Sequence, residues 1–97
     1  MEPLTGQARV QVSADVLFSQ VGDEAVLLNL KSGVYYSLDP VGTLVWTKIA
    51  RGERLGDVQK ALFEQFTVDS DVIWADLATL VTDLTAKGLI TILQVEE

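Results

Sequence analysis

Ala25-Val-Leu-Leu-Asn-Leu-Lys-Ser-Gly-Val-Tyr-Tyr-Ser-Leu-Asp-Pro-Val-Gly-Thr-Leu-Val-Trp46 puts two strand signals, a turn and a capped helix start into one run. Residues 25–30 are almost wholly apolar, Lys31-Ser32-Gly33 is a turn signal, and Val34-Tyr35-Tyr36-Ser37-Leu38 returns with β-branched and aromatic residues. Asp39 reads as a helix N-cap with Pro40 at the first helical position, where its missing N–H costs nothing. The stretch is a hairpin that feeds a helix. It has the look of a sheet edge beside helices and not of a reaction centre.

Upstream, Arg9-Val-Gln-Val-Ser13 alternates polar and apolar side chains at period two, and Val16–Val21 continues with strand formers before Gly22-Asp23 turns the chain. The expectation is a short antiparallel meander with strands near 9–12, 16–21, 24–30 and 34–38. Downstream the period becomes helical: Val41, Leu44, Val45 and Ile49 share a face with Trp46 beside them, until Gly52 ends the run. Leu55, Val58, Ala61, Leu62 and Phe66 form a second stripe, which starts poorly because Arg54 stands where a cap belongs and Gly56 lies in the first turn. This second helix should be the least stable. Asp69 is expected to cap a third helix, with Val68 and Ile73 as a hydrophobic staple and Lys87-Gly88 as its stop. Leu89–Leu93 is apolar enough for a last strand or a packed tail.

Ninety-seven residues with 48% apolar content suit one globular domain, with its core expected over about 7–93. The chain has no cysteine and no histidine, which removes thiolate nucleophiles, disulfides, ordinary zinc sites and the commonest acid/base residue. The remaining Asp, Glu, Lys, Ser and Tyr converge at no catalytic spacing, so the reading is a protein that is not an enzyme and uses no cofactor. No Gly-rich phosphate loop is present. Neither a signal peptide nor an apolar run of about 20 residues is visible, which points to a soluble cytoplasmic protein with no membrane partner.

Strands followed by three helices make an α+β domain, and a hairpin with three helices is the inventory of a winged helix-turn-helix. That fold raises a DNA-binding regulator as a competing function. A net charge of −7 and a third helix with four aspartates and no base before Lys87 argue against it, because nucleic acid needs cations at phosphates and bases. On that helix Ile73, Leu77, Leu80 and Leu84 form the expected core stripe, Trp74 and Val81 sit on one flank, and Val72, Asp76 and Asp83 line the other. This apolar width exceeds what one-sided packing requires and marks a groove wall.

Leu28-Asn-Leu30, the Gly33–Gly42 run, Val45-Trp46, Gly52 and the Asp76–Ile90 pattern closing on Lys-Gly-Leu-Ile resemble the PqqD-like family of peptide chaperones over roughly residues 16–92. The resemblance implies a recognition element for ribosomally made, post-translationally modified peptides (RiPPs), a small domain that binds the leader segment of a precursor. Ser32–Gly42 leans toward the stand-alone B-protein of lasso-peptide biosynthesis, whose partners would be the precursor peptide, a separate leader peptidase of cysteine-protease type and a cyclase. The alternative is a chaperone for pyrroloquinoline quinone or another radical-SAM peptide pathway. In this family the leader adds as a strand to the sheet edge against the last helix, which satisfies edge backbone groups while alternate side chains enter apolar pockets. Carried onto this chain, the edge is Val34, Tyr35, Tyr36, Ser37 and Leu38. The helix wall comes from Ile73, Trp74, Asp76, Leu77, Leu80, Val81 and Leu84.

Tyr35 and Tyr36 point to opposite faces of a strand, so one faces the partner and the other the core. Trp46, beside a core stripe, reads as packing, whereas Trp74 fits core or groove equally. Asp76 is a candidate contact for a leader N–H or basic side chain, or simply a solvated acid. Asp69, Asp71, Asp76 and Asp83 wrap around the helix and do not converge as metal ligands.

Overall fold

The computed structural model describes residues 4–93. Its elements follow in the order β1 (Arg9–Val12), β2 (Val16–Val21), β3 (Glu24–Asn29), β4 (Tyr35–Leu38), α1 (Pro40–Ala50), α2 (Leu55–Gln65), α3 (Ser70–Ala86) and β5 (Ile90–Leu93). No helix among them is long and apolar enough to cross a membrane. The fold is α+β, an antiparallel sheet followed by three helices.

The opening hairpin forms as its alternation requires. Ala25 pairs with Leu38 and Leu27 with Tyr36, while Phe18 of β2 lies opposite Leu27. These residues share the sheet face turned toward the core, where Ala25, Leu27 and Leu38 are buried. Trp46 of α1 is packed against that face, its ring stacked on Phe18 at 6.4 Å and 12°. Asp39 caps α1 as expected, its Oδ1 accepting the Gly42 N–H at 2.7 Å. Val41, by contrast, is exposed and not part of the α1 core face.

Two expectations about the sheet and α3 need correction. β1 does not extend the meander: the sheet runs β2-β3-β4, and β1 pairs instead with β5, Val10 opposite Ile92. Period two identifies a strand but carries no information on its partner, and the partner here is at the far end of the chain. Asp69 stands at the N-cap of α3 without a side-chain cap bond.

The weak start of α2 has a solution that its own residues do not reveal. Arg54 makes no side-chain cap bond. The Ala8 carbonyl instead accepts the Leu55 N–H at 2.9 Å, and the Gly6 carbonyl accepts the Gly56 N–H at 2.9 Å. The segment before β1 therefore caps the helix with main chain, satisfying two of the orphan donors of its first turn. Gly56 permits this approach, because a Cβ there would meet the Gly6 oxygen at 3.0 Å and its Cα at 3.2 Å. Inside a helix, Gly→Ala ordinarily stabilises. Gly56→Ala is expected to do the reverse, costing about 1 kcal/mol in urea unfolding, since backbone crowding outweighs the propensity gain.

Candidate functional site

The outer edge of β4 is the first component of the site. Asn29 N–H donates to the Val34 carbonyl at 2.9 Å, so this cross-strand pair is a hydrogen-bonded one. Such pairs alternate along an antiparallel ladder, so Tyr36 and Leu38 turn their main-chain groups toward β3 while Tyr35 and Ser37 turn theirs away. Among the described residues no strand pairs with that side of β4. The result is a short row of open donors and acceptors.

The second component is a stripe of α3. Asp76, Leu80, Asp83 and Lys87 recur at helical spacing and share one side of the helix. Asp76 and Leu80 line a cavity of about 610 Å³ together with Tyr36, Ser37, Leu38, Asp39, Val41, Gly42 and Glu24. Farther along, the Lys87 ammonium lies 5.8 Å from the centre of the Tyr36 ring. Burial pushes the Tyr36 phenol above its ordinary range, and the negative charges of Asp83 and Asp39 push it the same way. Tyr36 thus sits between the sheet edge and the helix in a negative field.

Asn29 fixes the two walls relative to each other. Its Nδ2 donates to the Lys87 carbonyl at the C-terminus of α3 (3.1 Å), while its Oδ1 accepts from the N–H groups of Lys31 (2.9 Å) and Ser32 (3.2 Å) in the β3–β4 turn. One buried amide therefore ties the hairpin to the end of the helix across 58 residues of sequence. Gly88 makes room for it. Its φ of +71° suits the helix stop, and a Cβ would come within 3.1 Å of the Asn29 Nδ2.

An open strand edge facing a helix across a cavity is an arrangement to which an extended peptide can add as a strand, and the comparisons with known proteins bear on it. Residues 24–90 match the family model described as coenzyme PQQ synthesis protein D (PqqD). The chain belongs to the PqqD family. Two solved structures share the fold of this PqqD-family chain. One is described as TbiB1 in complex with the TbiA(beta) leader peptide, with 31% identity, a TM-score of 0.79, and coverage of 82% of this chain and 93% of that one. The other is described as lasso peptide synthetase B1 complexed with the leader peptide, with 26% identity, a TM-score of 0.77, and coverage of 88% and 98%. Comparison with the curated proteins finds no match.

Within this PqqD-family fold the residues singled out in the sequence separate into two sets. Tyr36, Ser37, Leu38, Asp76 and Leu80 come together around the cavity. Tyr35 is exposed on the opposite face of the sheet, and Val34 precedes β4 with its carbonyl committed to Asn29. Ile73, Leu77, Val81 and Leu84 are buried in the core and have no surface to offer a partner. The placing of Val81 on an accessible flank is therefore wrong. The core arc of α3 is centred nearer Val81, which leaves Leu80 half-buried at the groove instead of in the core stripe. Trp74 is half-buried against the core on the flank away from the Asp76 stripe.

Glu24, Asp39, Val41 and Gly42 were not foreseen as lining residues. Register carries the signal for Glu24, since Glu24 and Asp39 directly adjoin the last β3–β4 pair, Ala25 with Leu38. Asn29, the single polar residue of an apolar run, was visible as an anomaly. No group of three His, Cys, Asp or Glu among the described residues could hold a metal ion. Asn29→Ala should cost about 2 kcal/mol in chemical denaturation, because it leaves a helix-terminal carbonyl and two turn N–H groups without their partner.

Proposed function

We propose that this chain is a non-catalytic RiPP recognition element that captures the leader segment of a precursor peptide as an added strand on β4. The observation that carries this reading is the open edge of Tyr35 and Ser37 facing the Asp76–Leu80 side of α3 across the cavity. A leader laid along the edge satisfies those main-chain groups, and its alternate side chains turn inward beside Tyr36, Leu38 and Leu80. The PqqD membership supports the reading, as does the likeness to two structures described with leader peptides bound.

The likeness to the neighbour described as a lasso peptide synthetase supports a lasso-peptide pathway for this chain over coenzyme PQQ synthesis. In that pathway the domain holds the substrate while a separate leader peptidase and a cyclase perform the chemistry. A chain without cysteine or histidine is suited to this division, contributing effective concentration and leaving the nucleophile to a partner.

Ser37→Pro is the discriminating variant. Proline removes the outward N–H of Ser37, which β3 does not use, so the hairpin should persist while the added strand loses a bond. Calorimetric titration with a lasso-precursor leader peptide that binds the wild type should show binding weakened about tenfold, with unfolding little changed. Stimulation of a separate leader peptidase acting on that precursor should fall in parallel and should be absent for a leaderless substrate. Undiminished binding by a folded Ser37→Pro protein would place the leader elsewhere.

A further inference from the structure

The cavity between β4 and α3 has an apolar floor and a rim of one sign. Tyr36, Leu38, Val41 and Leu80 supply the floor, Glu24, Asp39 and Asp76 supply the charge, and no lysine or arginine is among the lining residues. The salt bridges of the described residues, Lys31 with Asp15 and Lys48 with Glu53, involve none of these three acids. Asp39 spends one carboxylate oxygen on the Gly42 N–H and keeps the other.

The acids gather at one end of the groove. Lys87 and Asp83 lie beside Tyr36, so Asp76, about two turns earlier on α3, lies toward Leu38 and Asp39. Glu24 and Asp39 adjoin in sequence the last β3–β4 pair, Ala25 with Leu38, at that same end of the sheet, and both line the cavity. Among the described residues no salt bridge reaches these acids, and they line the groove where an added strand would pass.

From the cavity, the open edge and this one-sided rim, we propose that the bound leader places a lysine or arginine at the Leu38 end of the groove, among Glu24, Asp39 and Asp76. The inference rests on the leader-binding reading and adds to it the chemistry of one position. Alternate residues of the added strand share the inner face with Tyr36 and Leu38, so apolar side chains fill the middle of the groove. The basic residue falls a fixed even number of positions from them. Its aliphatic stem packs on Leu38 and Val41 while its cation meets the carboxylates, and the walls of the groove focus their field.

Selection from a phage library of randomised linear peptides, against the full chain and against Asp76→Lys, tests this. The wild type should enrich an alternating apolar pattern with Lys or Arg at one fixed offset. Asp76→Lys should enrich the same apolar pattern without the base. A selected basic peptide should bind the wild type about fivefold to tenfold more tightly than its Gln analogue, and Asp76→Asn should erase that difference. Because the carboxylate relieves nothing in the free protein, Asp76→Asn should not lower the melting temperature, which a structural role would require.

An apolar pattern without a positioned base, or a base retained by Asp76→Lys, overturns the inference and leaves leader binding intact. Basic enrichment scattered over all positions also overturns it, since the net charge of −7 alone attracts cations without regard to position. Failure to enrich any peptide that competes for the β4 edge overturns the recognition reading itself, and this inference with it.

Discussion

The antiparallel pairing of β3 with β4 uses only one side of β4, and everything proposed for this protein depends on the other side staying open. An unpaired edge is a liability, because any extended chain can complete it. Here the edge is only four residues long and is overlooked by a charged side of α3. Shortness and charge restrict the strands that can add to it. In the proposed complex, selectivity then comes from the side chains that must enter the groove and not from the main-chain bonds, which every peptide can make.

Rigidity of that geometry comes from a small set of contacts outside the groove. Asn29 holds the turn before β4 to the end of α3, Asp39 ties the end of β4 to the start of α1, and Trp46 braces the sheet through Phe18. Both walls are thus defined before a peptide arrives. For the proposed complex, a preformed groove reduces the ordering cost of binding on the protein side, leaving mainly the cost of ordering the leader.

Much of this was legible in the sequence where the signal is local. The turn at Lys31-Ser32-Gly33, the Asp39-Pro40 cap and the stop at Lys87-Gly88 each depend on a few adjacent residues, and each lies where local chemistry places it. Contacts distant in sequence were not legible. Nothing in Gly6 or Ala8 announces that their carbonyls cap α2, and nothing in Arg9–Val12 announces pairing with Ile90–Leu93. On α3 the periodicity gave an apolar arc without its centre. A rotation of the core direction toward Val81 buried that residue and turned Leu80 with Asp76 to the groove. The edge itself was readable from Val34–Leu38, but which amides point outward required the Asn29–Val34 bond.

Hydrogen exchange at single-residue resolution, with and without bound leader, tests the central claim most directly. The Tyr35 and Ser37 amides should exchange quickly in the free protein and become strongly protected in the complex, while Tyr36 and Leu38, already bonded to β3, change little. Protection confined to β2, or to the surface of α3 with Tyr35 and Ser37 still exchanging freely, would contradict strand addition at β4.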